Sequence, residues 1–312
     1  MRPLVTIAGI SLLALAAGCT SSRWGFINRP KDQPVQGSPP TKEEIVAYLN
    51  DNASRIQTFR SDDLSMTVHA GAIPVTLSGN LMTQKANDIT QKPRDFRMSG
   101  NLAASRMVDL GSNSDEFWWW ISKDKPPDQY YCSYRDLQEG RVRALPFPIQ
   151  PEWIMETLGL GPYGPAEKYE MDYDDYTLKL IERTRTPLGQ AVRKVIVMKR
   201  APQDVKRGNP QVAEYLLLDD ATGKELCSAQ ITQVQMLQVD TNKAAVLPRR
   251  LELRCAIGSE KVRLDMRFEG VSINAPLPQT AFVRPAMPGV RSVDLARMFG
   301  NPSVQSAQSS GQ

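Results

Sequence analysis

From about residue 59 to residue 270 much of the chain alternates between apolar and polar positions. Leu64, Met66 and Val68 alternate with Ser65 and Thr67; Val75, Leu77, Gly79 and Leu81 alternate with Thr76, Ser78 and Asn80; Phe96 and Met98 alternate with Arg97 and Ser99. A period of two places each set on one face of a strand. The pattern is plainest late in the chain. There Val262, Leu264, Met266 and Phe268 interleave with Arg263, Asp265, Arg267 and Glu269, and Leu251, Leu253 and Cys255 interleave with Glu252 and Arg254. Further strands read at 107–110, 117–121, 129–134, 176–184, 191–199, 212–218 and 225–237. Asp219-Asp220-Ala221-Thr222-Gly223-Lys224 supplies turn chemistry between the last two.

Two segments carry helical spacing instead. Thr41 is placed to cap a helix, Glu44 closes a capping box three residues on, and Ile45, Leu49 and Ile56 with Tyr48 and Ala53 form one apolar stripe. The second is Pro151 to Leu158, with proline at its start, Trp153, Ile154 and Leu158 apolar, and Gly159 and Gly161 beyond its end. About eleven one-faced strands with only two helices predict a mainly β (α+β) body. Its inner face is buried by closure into a barrel or sandwich, or by helices laid over an open sheet.

The ends read differently. Arg2, the apolar stretch Leu4 to Leu15 and the small residues Ala16-Ala17-Gly18 before Cys19 have the form of a secretory signal. At 15 residues, Leu4 to Gly18 is short of the roughly 20 that a spanning helix needs. Leu15-Ala16-Ala17-Gly18-Cys19 resembles the bacterial lipobox, with Ala16 where leucine is commonest. That resemblance implies cleavage between Gly18 and Cys19 and lipid on the cysteine; Thr20 in the next position, rather than Asp, implies an outer-membrane destination. Thr20 to Pro40 contains four prolines and reads as a tether that reaches about 70 Å when extended. The Ser/Gln-rich stretch 301–312 is expected to be disordered. The expected organisation is a signal peptide over 1–18, a lipidated cysteine and tether over 19–40, one β-rich domain over 41–300, and a tail.

Composition narrows the function classes. Thirty-eight Lys+Arg against 34 Asp+Glu leave a formal charge of +4, too small over 312 residues to point to nucleic acid. A single histidine, His69, and the lack of a Gly-x-Ser-x-Gly elbow or a phosphate-cradling glycine loop give catalysis little material. Asp172, Asp174 and Asp175 with Glu167 and Glu170 cluster around Tyr169, Tyr173 and Tyr176 but do not match a calcium loop, and read as a solvated edge and turn. The expectation is a non-catalytic protein without cofactor or metal. With Cys19 modified, Cys132, Cys227 and Cys255 remain; Cys227 and Cys255, on strands expected to pair, are either a disulfide or two buried apolar side chains.

The order of elements resembles the LolA/LolB-like (lipoprotein carrier) superfamily. The features that carry the resemblance are the amphipathic helix, Phe59 to His69, the hairpin Val75 to Met82, Pro93-Arg94-Asp95-Phe96-Arg97-Met98, Glu116 to Ile121, the hairpin Tyr215 to Glu225, and the closing run Ala275 to Val283. It spans roughly Thr41 to Pro288. It implies an open antiparallel half-barrel whose concave face is covered by helices and whose ligand is a lipid or lipoprotein acyl chain, held for transfer or sensing at the cell envelope. The cavity would then be lined by Leu64, Met66, Val68, Val75, Leu77, Phe96, Met98, Leu251, Leu253, Val262, Leu264, Met266 and Phe268, with Ile45, Leu49 and Ile56 on a lid. The alternative is a core filled by those same side chains, in a scaffolding lipoprotein that binds another envelope protein.

Two apolar features are candidates for such an interface. Alternation through Phe117-Trp118-Trp119-Trp120-Ile121 sends Trp118 and Trp120 to the opposite face from Phe117, Trp119 and Ile121. That face is either a docking surface or is covered by a packed loop or helix. Leu145-Pro146-Phe147-Pro148-Ile149 is a proline-stiffened loop in which Leu145 and Phe147 either meet lipid or pack beside the Pro151 helix.

Overall fold

A computed structural model describes residues 38–69, 73–85, 95–123, 127–145, 151–200, 204–257, 260–278 and 280–298. The signal segment, Gly18, Cys19, most of the tether, Phe147 and the tail lie outside the described residues.

The alternating segments form one open sheet. Its strands are β1 (Thr58–His69), β2 (Val75–Gln84), β3 (Asp95–Leu102), β4 (Ser105–Ser112), β5 (Glu116–Ile121), β6 (Gln129–Ser133), β7 (Tyr169–Tyr173), β8 (Thr177–Arg185), β9 (Ala191–Lys199), β10 (Val212–Asp219), β11 (Glu225–Gln238), β12 (Ala244–Ile257), β13 (Glu260–Ile273) and β14 (Ser292–Asp294). They lie in the order β14-β6-β5-β4-β3-β2-β1-β13-β12-β11-β10-β9-β8-β7. Every pairing is antiparallel except that of β14 with β6. The sheet is therefore two meanders, joined where β1 pairs with β13.

Fourteen strands among the described residues exceed the eleven expected. Tyr169–Tyr173 was expected to be an edge or turn and is a five-residue edge strand, β7, while β14 is only three residues long and too short to show a period. Among the described residues four α-helices accompany the sheet: α1 (Lys42–Ser54), α2 (Tyr134–Gln138), α3 (Pro151–Thr157) and α4 (Leu295–Met298). Helix α1 starts as its sequence dictates. The Thr41 hydroxyl accepts from the Glu44 N–H at 3.2 Å, and the Glu44 carboxylate accepts from the Thr41 N–H at 2.8 Å.

Register carries one apolar row across the concave face. Phe96 stands opposite Thr83, Met98 opposite Leu81, Met66 opposite both Leu77 and Met266, Leu64 opposite Phe268, and Leu251 opposite Met266. The row continues through Ala229 opposite Leu253, Tyr215 opposite Ala229, and Ile196 opposite Tyr215 and Leu180. Leu64, Leu81, Phe96, Leu180, Leu251 and Phe268 are all at most 1% exposed. Helix α1 adds Ile45, Leu49 and Ala53, followed by Ile56, to the same core. The outward partners Arg263 and Arg267 are exposed. Val75 departs from the expected inward set: at the far end of β2, beyond the reach of the helices, it is 41% exposed.

The convex face of β3 to β6 is covered as well. Residues 281–285 run back over it, with the Val283 carbonyl accepting from the Arg97 guanidinium at 3.2 Å and the Phe282 carbonyl accepting from the Asn113 amide at 3.1 Å. Arg284 pairs with Glu116 at 2.9 Å and lies over the Tyr131 ring. On this face Trp118 lies against Gly111 and is 2% exposed, and its indole N–H donates to the Asp109 carboxylate at 3.1 Å. Asp109, wholly buried, also meets Arg97 at 2.9 Å and Arg106 at 3.1 Å. Of the two readings left open for this face, a docking surface or a covered one, Trp118 takes the second. Trp120 is half-buried and donates to the Pro127 carbonyl at 2.9 Å.

Candidate functional site

Burial along the concave row falls toward one end of the strands. Met66 is buried and Val68 half-buried, Met266 is buried and Leu264 and Val262 half-buried, and Leu251 is buried and Leu253 half-buried. At that end lies a cavity of about 160 Å³ with an almost wholly apolar lining. Phe96, Met98 and Leu110 form one side of its floor, and Leu253, Cys255, Val262 and Leu264 the other. Its aromatic wall is a ladder on β5 and β6: Phe117 stacks on Trp119 with ring centres 6.1 Å apart, and Trp119 stacks on Tyr130 at 5.5 Å. The roof comes from Tyr134 and Leu137 of α2, Leu145, and Pro151 and Ile154 of α3.

The roof is held by local bonds. Ser133 caps α2, its hydroxyl accepting from the Asp136 N–H at 2.9 Å, and the Tyr134 hydroxyl bonds the Ser112 hydroxyl beneath it at 2.8 Å. Leu137 packs in a second apolar cluster with Trp119, Cys132, Val142 and Leu295, and Leu145 rests against it. Burial, with the Asp136 and Asp294 carboxylates adding to it, pushes the Cys132 thiol up to about 12, so it stays protonated. Leu145 is thus packed beside the cavity rather than projecting from it.

Five of the residues expected in the cavity line it, Phe96, Met98, Leu253, Val262 and Leu264, while Met66 and Leu77 are buried against Gly100. Leu64, Leu251, Met266 and Phe268 lie deeper, in packed core. None of Ile45, Leu49 and Ile56, assigned to a lid, lines it. Helix α1 sits elsewhere on the concave face and is pinned there by two asparagines that bond backbone as a neighbouring strand would. Asn52 donates to the Val246 carbonyl at 2.9 Å and accepts from its N–H at 2.8 Å, and Asn50 does the same with Tyr163 at 3.2 and 3.0 Å. The sequence missed Leu110, Tyr134 and Leu137 as lining residues. Leu110 is on β4 opposite Met98, whereas Tyr134 and Leu137 belong to a five-residue helix with no room to show a period.

Other candidate groups resolve into structural roles. Cys227 and Cys255 stand directly opposite each other on β11 and β12, as free, buried thiols. The hydrogen bond to Cys255 and then burial push the Cys227 thiol far above its ordinary range. Asp174 caps the β7–β8 turn, its carboxylate accepting from the N–H groups of Tyr176 and Thr177 at 2.8 and 2.7 Å, while Asp172 pairs with Lys179 and Glu170 with Arg183. His69 bonds Asp265 on the convex face at 3.0 Å. Among the described residues no helix is long and apolar enough to cross a membrane.

No protein-family model and no curated protein matches the sequence. The fold is similar to solved structures at low identity. One is a DUF1329 family protein from Desulfovibrio piger, with 9% identity over 77% of this chain and 95% of that one, at a TM-score of 0.48. Another is a proposed outer membrane lipoprotein-sorting protein domain from Vibrio parahaemolyticus, with 10% identity over 78% and 97% and a TM-score of 0.46. A LolA superfamily protein from Nitrosomonas europaea shares 12% identity over 77% and 97%, at a TM-score of 0.40.

Proposed function

We propose that this protein is an envelope lipoprotein, anchored through Cys19 to the outer membrane on its periplasmic side, that holds a lipid or lipoprotein acyl chain without chemically altering it, for transfer or sensing. The observation that carries the reading is the apolar cavity between the sheet and helices α2 and α3. A packed core leaves no such space, since interiors close to crystal density. An apolar cavity of similar size, about 150 Å³, stays dry and accepts a benzene-sized guest.

The size sets what the cavity takes as it stands. A guest of about five methylenes gains roughly 4 kcal/mol at ~0.8 kcal/mol each, little after the cost of immobilisation. A full acyl chain requires the roof of α2, Leu145 and α3 to move; α1 is tied down by Asn50 and Asn52. Alkyl probes of six to sixteen carbons, titrated onto the purified protein, test this. Affinity is expected to rise about tenfold for every two added carbons beyond six, and Leu110→Trp, which fills the floor, is expected to abolish it. A plateau at six carbons would leave a rigid cavity and sink the carrier reading. The anchor has its own test: Cys19→Ser is expected to remove the protein from the detergent phase, and unchanged partitioning would overturn it.

A further inference from the structure

The convex face has a covered part and an open one. Residues 281–285 lie over β3 to β6, whereas on β12 and β13 the outward side chains of Arg250, Lys261, Arg263 and Arg267 are exposed. Register here sets like charge against like. Arg250 stands opposite Arg267, Glu252 opposite Asp265, and Arg254 opposite Arg263. Like charges directly across a strand pair are destabilising. The inward pairs Leu251 with Met266 and Leu253 with Leu264 fix this register, and the outward face is charged at a cost to it.

The carboxylates of this face are shared and sit low. Glu252 meets Arg254 and, at 3.3 Å, Arg263; Asp265 meets Arg263 at 2.9 Å and His69 at 3.0 Å; Glu269 meets Arg267 at 2.8 Å and Arg249 at 3.4 Å. Three carboxylates thus serve four arginines, and Arg250 and Lys261 bring the cations to six. Among the described residues no carboxylate pairs with Arg250. The four paired arginines are 40% to 46% exposed and their carboxylates only 15% to 35%, so the outermost layer is cationic. The flanking strands do not offset it, for Ser228 and Gln230 on β11 and Ser65 and Thr67 on β1 are uncharged. The sign changes only past Glu269, at the bulge of β1, where Asp62 and Asp63 lie beside Gly270 and Arg60 pairs with Asp62 at 2.6 Å.

We infer that the convex face of β12 and β13 docks on the surface of an anionic phospholipid membrane. Guanidinium groups in excess of the carboxylates among them, held at the top of an open sheet face, suit a surface of phosphates. The inference rests on the anchor proposed above: a tether of about 70 Å keeps the body near a membrane without choosing its face, and charge makes the choice. The choice has a consequence for the cavity. Arg254 lies between Leu253 and Cys255, and Arg263 between Val262 and Leu264, so the arginines form the reverse side of the cavity floor. A body docked in this way turns its apolar cavity away from the membrane that anchors it.

The test uses the full chain carrying Cys19→Ser, so that no lipid on the protein holds it down, sedimented with vesicles of phosphatidylcholine alone or with about a third phosphatidylglycerol. Binding to the anionic vesicles is expected to be about tenfold tighter or more at low salt, and to fall to the neutral level at about 0.5 M salt. Arg250→Glu sets a carboxylate opposite Arg267. It is expected to weaken anionic binding about tenfold while leaving the unfolding midpoint unchanged or raised, a combination that a misfolded variant does not give. Lys261→Glu, opposite Ala256 on the same face, is expected to weaken binding likewise, whereas Arg207→Glu, before β10, makes the same change of net charge and is expected to leave it intact. Equal binding to the two kinds of vesicle overturns the inference, and so does equal weakening by Arg207→Glu and Arg250→Glu, which would assign the attraction to net charge. The detergent-phase test of Cys19 judges the anchor without this face, so the two readings fail separately.

Discussion

At Gly111 one missing side chain decides how a tryptophan is stored. A β-carbon there would fall inside the Trp118 ring, so the indole lies flat on the backbone of β4 and brings its N–H to Asp109. Gly111→Ala is expected to lose about 1–3 kcal/mol in denaturant unfolding, with a red shift of tryptophan emission in the folded state. Asp109→Ala is expected to cost about 3 kcal/mol or more, since Arg97 beside it is then left largely buried without its carboxylate. Asp219 gives a pH prediction of known sign. The Thr222 hydroxyl, the Gln190 amide and the Thr222 N–H hold its carboxyl down from 3.8 to about 2. A lowered folded value means that its support of the β10–β11 turn is complete above about pH 4 and is lost as pH falls through 2. A carboxyl titration followed by NMR that reads near 4 would contradict the turn geometry. The fate of Trp118 was open in the sequence because alternation gives a side chain its face but not what covers that face; the covering segment lies some 160 residues further along.

Strands declared themselves when long and one-faced. β13 shows both the strength and the limit of that signal, for its inward residues are correctly placed yet unequally buried. Phe268→Ala, in packed core, is expected to cost about 3–5 kcal/mol, whereas Leu264→Ala, at the cavity, should cost about 1–2 and instead weaken alkyl-probe binding. Equal losses in thermal unfolding would mean that the cavity is closed in solution. Period two cannot separate these positions, because both point inward; only the helices above decide. Similarly, the stripe on α1 correctly shows a helix laid on the sheet, but Asn50 and Asn52, which fix where it lies, sit on its polar side and look like ordinary surface residues. α2 and β14 lay below the length at which any period is visible.

Across the whole molecule, the open and helix-covered sheet was one of two solutions that the strand pattern allowed, and the order of elements separated them. The position of the apolar cavity on the concave face was not legible, because it arises where α2 and α3 lie over strands from both meanders, which joins residues far apart in the chain. A sheet that stays open must also end, twice. One end is β14, three residues long. The other is β7, whose outer backbone edge has no partner strand among the described residues and whose outward side chains are Glu170 and Asp172. The acidic cluster that read as a solvated edge is, in this position, a guard on solution behaviour. Carboxylates spaced along an exposed edge discourage a second molecule from adding its own strand. Replacing Glu170 and Asp172 with threonine is expected to leave the fold and alkyl-probe binding in place but to produce association that grows with protein concentration in sedimentation velocity, while unchanged sedimentation would assign those charges no such duty.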